Sequence, residues 1–377
     1  MLDVIIAGAG PAGSVAALVL ARAGARVLLL DRETFPRDKL CGDTVNPGAV
    51  ARLRALGLEG GALATARSLA GMRVSGPTAT VTASYGNGTC ALALTRRALD
   101  AWLLEAAVAA GARFESGLVV REPLVDDTSG RPLVRGLCVS RGTDAPTTRL
   151  PAMITIAADG RRSTIARALG LMRHPTLPRR WAYGTYATNV AGVDDYGEMH
   201  IRRGWYAGVA PLADGAVNLC IVTEPEAGEA PMSVVTRTIA SDAALAERFA
   251  SASFESDVRV LGPLASDARA VGADGLLLVG DAAGFVDPLT GDGVRLAIES
   301  AELAAHEALR AIETGDMGAA LVRLAFARRR AFGRKLSFNR ALRWMVGSPA
   351  AVGLADMGAR VAPGLVRQAV RYAGDVA

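Results

Sequence analysis

The sequence predicts an α/β protein built on a Rossmann-like dinucleotide-binding domain, and three observations predict it. Asp3-Val4-Ile5-Ile6-Ala7 is a short apolar run of the kind that forms a buried parallel strand. It feeds into Gly8-Ala9-Gly10-Pro11-Ala12-Gly13, which opens a helix, and Arg26-Val27-Leu28-Leu29-Leu30 is a second apolar run ending at Asp31. The spacing predicts helix from Pro11 to about Ala23, stopped at Gly24. The first glycine permits the tight turn, the second lets the backbone approach a pyrophosphate, and the third allows close helix-to-strand packing. The free N–H groups of the helix start then face the phosphates. Asp31, at the end of the second strand, can accept the hydroxyls of an adenosine ribose. A lone glycine hexad often marks only a turn. Here strand, glycines, helix, strand and carboxylate stand in order, which is the pattern of a nucleotide site.

Composition narrows the class. A chain of 377 residues is long enough for two domains or more, and 51% hydrophobic against 21% charged residues describes a globular protein rather than a disordered one. No uncharged apolar run reaches the roughly 18 residues of a membrane span, and the N-terminus enters a strand without a basic leader, so a cytoplasmic protein is expected. Cys41, Cys90, Cys138 and Cys220 are too scattered for a metal site or a disulfide framework, as are His174, His200 and His306, so no metal is expected. The net charge of +5 is a property of the tail: residues 317–377 hold 11 basic and two acidic residues. The main body shows neither a recognition helix nor a basic stripe interleaved with aromatics, which argues against nucleic acid as a partner.

Along the chain, Arg32 to Asp43 is a polar loop of a length that marks function inside an α/β unit. Asn46-Pro47 reads as an N-cap and first turn of a helix to Gly57, and a β region follows at about Ser68 to Ala83, turning at Gly76-Pro77. Leu92 to Ala110 has helical spacing. Arg96 and Arg97 near its start read either as a solvated pair or as a phosphate or ribityl contact. Strands are expected at Arg113–Val120 and Leu133–Val139, with an acidic turn from Asp126 to Gly130 between them. Ala152–Ala158 is another buried strand, ending in Asp159-Gly160 and a helix that carries Ser163 and Arg167. Arg180 to about Leu261 alternates with aromatics and predicts an antiparallel sheet that covers a substrate. Gly275–Val279 is the last buried strand. It leads through Gly280-Asp281-Ala282-Ala283-Gly284 and Pro288-Leu289-Thr290-Gly291-Asp292-Gly293 into a long helix whose N-terminus favours negative charge.

Taken together, Gly8-x-Gly10-x-x-Gly13, Asp159-Gly160-x-x-Ser163-x-x-x-Arg167 and Gly280-Asp281-Ala282-Ala283-Gly284-x-x-x-Pro288 resemble the three FAD fingerprints of the flavoprotein monooxygenase superfamily, the p-hydroxybenzoate hydroxylase fold. Pro36-Arg37-Asp38-Lys39-Leu40-Cys41-Gly42-Asp43 and Thr290-Gly291-Asp292-Gly293 are similar to the geranylgeranyl reductase branch, and the likeness covers about residues 1 to 315. The resemblance implies FAD, with NADH or NADPH visiting as a transient reductant, since no second glycine hexad is present. It implies cofactor contacts from Gly8, Gly10, Pro11, Ala12 and Gly13, from Asp31 and Arg32 near the ribose, and from Lys39 and Arg96 along the pyrophosphate or ribityl chain. Asp159, Gly160, Gly280 and Asp281 join them, with Gly291 and Gly293 at the pyrimidine side of the flavin. Cys41, Gly42 and Pro288 are assigned to the reacting face. Cys41 has two readings: a small apolar residue in a turn, or a thiol beside the flavin that guides or protonates substrate, activated by Lys39 or Arg37.

The departures bear on substrate. In Tyr206-Ala207-Gly208-Val209-Ala210-Pro211, tyrosine and proline match the branch's cavity pattern, but glycine and alanine replace its other two aromatics. This argues against halogenation and for a wider cavity. The expected activity is NAD(P)H-linked reduction of carbon–carbon double bonds in an isoprenoid or lipid-like compound. The alternatives are flavin-dependent hydroxylation of an aromatic or polyketide-type ring, and a non-redox cyclase. The expected division is an FAD domain at 1–75, 92–170 and 270–316, a substrate domain at 76–91 and 171–269, and a basic helical region at 317–377. Two readings of that tail stand. One is an amphipathic helix packed on the FAD domain. In the other, a surface helix meets anionic lipid through arginines such as Arg328, Arg329 and Arg330, which would make the protein peripheral at the inner face of the membrane.

Overall fold

The computed structural model describes residues 2–86, 88–127, 132–142, 145–175, 179–255 and 257–376. Leu2–Ala7 lies at the middle of a parallel sheet because Val4 to Ala7 are buried on both faces. It pairs with Val27–Leu30 on one side, Val4 opposite Val27, and with Thr148–Ala157 on the other, Val4 opposite Ile154. Leu276–Leu278 and Arg113–Glu115 extend the parallel set at either end. Leu133–Ser140 joins Thr148–Ala157 antiparallel and pairs in turn with Val119–Asp126. Residues 128–130 of the expected acidic turn lie outside the described residues.

Helix α1 (Pro11–Arg22) has Gly10 as N-cap and proline at its first position, and it ends at Ala23 before Gly24, whose φ of +83° suits glycine. In α2 (Pro47–Ala55) the Asn46 side chain accepts from the Ala49 N–H at 2.9 Å. Helix α3 (Arg96–Ala109) begins four residues later than its periodicity suggested. Ala91–Ala93 instead pairs with Thr44–Val45 and Arg67–Leu69 in a small sheet, and extended Thr95 starts the helix by accepting from the Ala98 N–H at 3.2 Å. The short α4 (Thr164–Ala168) follows Thr148–Ala157.

The second sheet runs in the order Ser253–Phe254, Trp181–Thr188, Val217–Thr223, Trp205–Pro211, Tyr196–Arg202, Gly71–Ser75 and Thr80–Ser84. All its pairings are antiparallel except that of Tyr196–Arg202 with Gly71–Ser75. Gly71–Ser75, placed in the FAD domain by the sequence reading, is therefore a strand of this sheet. Side chains alternate between its faces. Tyr183, Ala207, Leu219 and Ile221 pack against α5 (Pro231–Ala240) and α6 (Ala243–Arg248), through Val234, Val235 and Leu245. Ala182, Tyr206, Cys220 and Val222 point the other way, toward the interior of the molecule.

Helix α7 (Gly293–Thr314) packs its alanines, Ala297, Ala301, Ala304 and Ala308, into one core with Val15 and Ala16 of α1. Helix α8 (Met317–Val346) follows, then α9 (Pro349–Val361) and α10 (Pro363–Ala373). Leu324 and Phe332 of α8 are buried, and Arg323 Nε donates to Glu307 Oε2 of α7 at 2.6 Å. Arg328, grouped in sequence with arginines that would meet lipid, instead donates to the Ala283 carbonyl at 3.2 Å, and burial pushes its guanidinium down to about 10. Among the described residues no helix is long and apolar enough to cross a membrane.

The end of the chain folds back onto α8. Buried Lys335 donates to the carbonyls of Tyr372 and Ala373, to Asp375 Oδ1 at 3.0 Å, and stands 3.4 Å from Asp292 Oδ1. Removing this one cation takes the shared partner from two carbonyls and two carboxylates, of which Asp375 keeps Arg295 and Asp292 keeps Asn46 and Asn339. Lys335→Met is expected to destabilise the protein by about 3–5 kcal/mol in urea unfolding and to expose residues 363–376 to protease. Pairing it with Asp375→Asn should recover part of the loss.

Candidate cofactor and substrate site

One cavity of about 700 Å³ lies between the two sheets, with a charged end and an apolar arm. The charged end is built where α1 starts. A Cβ on Gly8 would sit 2.4 Å from the Ala158 carbonyl, and one on Gly13 would sit 1.7 Å from the Gly8 carbonyl, so both glycines are required by strand-to-helix packing. Gly10 differs: a Cβ there would meet only the guanidinium groups of Arg37 at 3.5 Å and Arg96 at 3.8 Å. The helix start and two cations thus face one open spot, which is the donor set a pyrophosphate needs. Asp100 keeps the cations in place, accepting two bonds of 2.7 Å from Arg96 and lying 3.0 Å from Arg37 Nη1. Burial works against the charge on Arg96, but Asp100 holds its guanidinium above the ordinary range.

Asp281 lines the same end, opposite Lys39, Arg96 and Arg161. Burial pushes its carboxyl up while those three cations pull it down, and burial pushes the Lys39 ammonium down. The Asp281 side chain accepts no hydrogen bond among the described residues, and Thr290 Oγ1 is buried without a partner. An open carboxylate and an open hydroxyl beside glycines and cations fit a ribityl-pyrophosphate, so the residues present match FAD. Pro11, Ala12, Gly160, Gly280, Gly291 and Gly293 line the cavity with them. Gly291 takes a φ of +65°, and a Cβ on Gly291 or Gly293 would meet nothing, leaving their backbone accessible to a flavin ring.

Three of the residues expected at the cofactor do other work in the fold. Asp31 accepts from the Ala9 N–H at 2.8 Å and the Glu33 N–H at 2.9 Å, tying the glycine loop to the strand end while each oxygen keeps a lone pair for a ribose. Arg32 is exposed and pairs with Glu33 at 3.1 Å, away from the cavity. Asp159 Oδ2 accepts from the Thr164 N–H at 2.8 Å and so caps the turn into α4.

Cys41, Gly42 and Pro288 all line this cavity. Burial raises the Cys41 thiol above its usual range, opposed by Arg96, not by the Lys39 or Arg37 expected from sequence. The thiol therefore stays protonated. Beneath the loop, Asp43 adopts a φ of +48°, accepts from Tyr186 Oη at 2.6 Å and Asn218 Nδ2 at 2.9 Å, and the same Asn218 donates to the Cys41 carbonyl at 3.1 Å. Nothing in the sequence marked this group, because its members come from a loop and two strands far apart in the chain.

The apolar arm is walled by Met72, Val81, Tyr206, Val222, Phe338 and Leu342, and roofed by α9 and α10. Gly208 and Ala210 line it too. A Cβ on Gly208 would come no closer than 3.7 Å to Met199 Cε and 4.0 Å to the carbonyls of Cys220 and Glu198, so this wall has room where the aromatics are missing. Tyr206 donates to Asp287, which lies 3.5 Å from Arg180.

Two predictions follow from these contacts. Asp281→Ala should weaken FAD binding by about 10- to 100-fold, since a hydrogen bond to a charged group contributes about 1.5–3 kcal/mol; flavin titration measures it. Burial raises the Asp43 carboxyl to about 6. The fold thus prefers its protonated form, and Asp43's contribution to stability is complete below about pH 4 and lost as pH rises through about 6. Asp43→Asn, which tolerates the positive φ, should flatten that fall. Asp292 is also raised to about 6 by burial, so the quantity to compare is the difference in urea stability between wild type and variant from pH 4 to 8.

Comparison with known proteins agrees with the geometry. The chain is 33% identical over 326 residues to the menaquinone reductase of Mycobacterium tuberculosis, an alignment covering 81% of this chain and 76% of the relative. It is 31% identical over 333 residues to digeranylgeranylglycerophospholipid reductase 2 of Methanopyrus kandleri, covering 85% and 80%. The solved structure of a geranylgeranyl bacteriochlorophyll reductase-like protein from Thermoplasma acidophilum superposes with a TM-score of 0.78 at 22% identity, over 93% of this chain and 89% of the other, and shares the p-hydroxybenzoate hydroxylase-type fold. The family described as FAD binding domain matches residues 1–339. The chain therefore belongs to the FAD-binding-domain family, with FAD as its cofactor.

Proposed function

We propose that this FAD-dependent oxidoreductase accepts hydride from NADH or NADPH and reduces a carbon–carbon double bond in an isoprenoid or other lipid-like compound. The observation that carries this reading is the apolar arm, which runs up to Cys41 and Gly42 and is continuous with the cofactor end. The relatives are named as reductases of menaquinone and of a digeranylgeranyl phospholipid, compounds of the class such an arm accepts. Bound FAD supplies the two-electron chemistry. The protein's part is to exclude water from the alkene with apolar walls, and to hold a proton for the second carbon on a thiol that burial keeps protonated. The buried N-terminus of α7, with Gly291 and Gly293 open before it, favours negative charge at the flavin end.

We assign the cofactor to the residues around Gly10, Arg96 and Asp281, and the reacting face to Cys41, Gly42 and Pro288. The parallel sheet with α1, α3 and α7 is proposed as the FAD domain and the second sheet as the substrate domain. Peripheral association with a membrane belongs to the same reading, because the substrate would reside there. A second reading, hydroxylation of an aromatic or polyketide-type ring, is favoured by the open wall at Gly208 and Ala210.

The deciding experiment is turnover with NADH or NADPH and a prenylated quinone in detergent, with and without oxygen. Reduction predicts anaerobic turnover whose product gains two hydrogens per double bond. A product that carries oxygen and forms only in air would replace the first reading by the second. Cys41→Ser should slow the reductive reaction while retaining FAD.

A further inference from the structure

Helices α9 and α10 roof the apolar arm, and their outer face is also apolar. Leu354, Met357, Val361 and Leu365 are 65%, 57%, 83% and 68% exposed, and Trp344, just before them on α8, is 71% exposed. Scattered exposed apolar residues need no explanation, but five on adjoining elements do. Val361 and Leu365 are exposed and line the cavity at once, so the outer patch runs into the interior at that point.

The charges on this hairpin are equally one-sided. Between Gly347 and Ala373 the sequence contains one acid, Asp356, and three arginines, Arg360, Arg367 and Arg371. Asp356 is buried and turned inward, accepting from the N–H groups of Thr78 at 3.0 Å and Ala79 at 2.9 Å in the turn after Gly71–Ser75. The hairpin is thus fixed over the cavity by its only carboxylate and by Arg367, whose Nε donates to the Thr82 carbonyl at 3.3 Å, while Arg360 stays exposed beside the apolar patch. Apolar side chains flanked by cations, with no exposed acid, suit the boundary between anionic headgroups and acyl chains. A second copy of the chain fits less well, because a two-fold contact would oppose like charges.

We propose that the outer face of α9 and α10, with Trp344 beside it, docks on an anionic lipid bilayer and that the cavity opens there, at Val361 and Leu365, to receive substrate directly from the membrane. This rests on the reading of the substrate as lipid-like. It moves the membrane contact away from the arginines of α8, where Arg328 is engaged with the protein.

The test is flotation of the full-length, FAD-loaded protein with phosphatidylglycerol vesicles and with phosphatidylcholine vesicles. Wild type is expected to float with the anionic vesicles more than with the neutral ones, and less as salt rises. Arg360→Gln should lower anionic partitioning by about fivefold at low salt. L354E/M357E should abolish flotation while circular dichroism, FAD content and turnover of detergent-dispersed substrate stay as in wild type, since neither side chain lines the cavity. Absence of wild-type flotation at low salt, or full flotation of L354E/M357E, would overturn the proposal. A dimer in light scattering that L354E/M357E dissociates, without vesicle binding, would assign the patch to a second copy instead. Failure of the reductase reading would show in the turnover assay alone, not in flotation.

Discussion

The Arg96 side chain is only 11% exposed, and a guanidinium so far out of water needs a counter-charge; Asp100, one turn along α3 and fully buried, supplies it with two hydrogen bonds. Much of the site follows from that pair. Asp100 also holds Arg37, so two cations share one carboxylate and leave net positive charge facing Gly10. The backbone N–H of Arg96 donates to Asp43 Oδ1, and the Leu94 N–H donates to the Asp43 carbonyl, which ties the loop carrying Lys39, Cys41 and Gly42 to the start of α3. The cations facing Gly10 and the loop carrying Cys41 are therefore both tied to the start of α3. Loosening it would disturb both ends of the site together.

The substrate side depends on a different constraint, the two-residue period of the second sheet. One face is filled by α5 and α6, and so the other, with Tyr206, Gly208 and Cys220, is left to bound the cavity. The roof comes from the far end of the chain. Arg328 reaches the loop after Leu276–Leu278, Lys335 reaches Asp292 just before α7 and the last residues of α10, and Asp356 reaches the turn at Thr78. Each of these is a buried or half-buried charge bonded to a remote element, although Arg328 Nη1 is left without a partner among the described residues. The helical tail thus becomes part of the cavity wall and not an appendage.

Much of the cofactor end was legible because its requirements are local. Gly8, Gly10 and Gly13 act within one turn, so spacing alone marked them, whereas Gly291 and Gly293, which line the cavity, were expected there from the family resemblance. Arg32 and Asp159 show the limit of that reasoning. Arg32 points to solvent and Asp159 accepts from the Thr164 N–H at the start of α4, since side-chain direction depends on what packs around the turn. The late start of α3 is a similar case. Leu92 has helical spacing, but pairing of Ala91–Ala93 with two distant strands outweighs local preference.

By itself the sequence determined the nucleotide-binding α/β core, the order of its three glycine-bearing turns, the antiparallel strands between Trp181 and Thr223 and the basic helical tail. These follow from periodicity and turn chemistry, which act over a few residues. Only the tertiary structure decided that Arg96 rather than Lys39 opposes the burial of Cys41, and that Asp43, Tyr186 and Asn218 converge beneath it. It alone decided that α9 and α10 roof the cavity with their apolar outer face left open. Those arrangements rest on burial and on pairing between residues far apart in the chain, and neither leaves a local pattern to read.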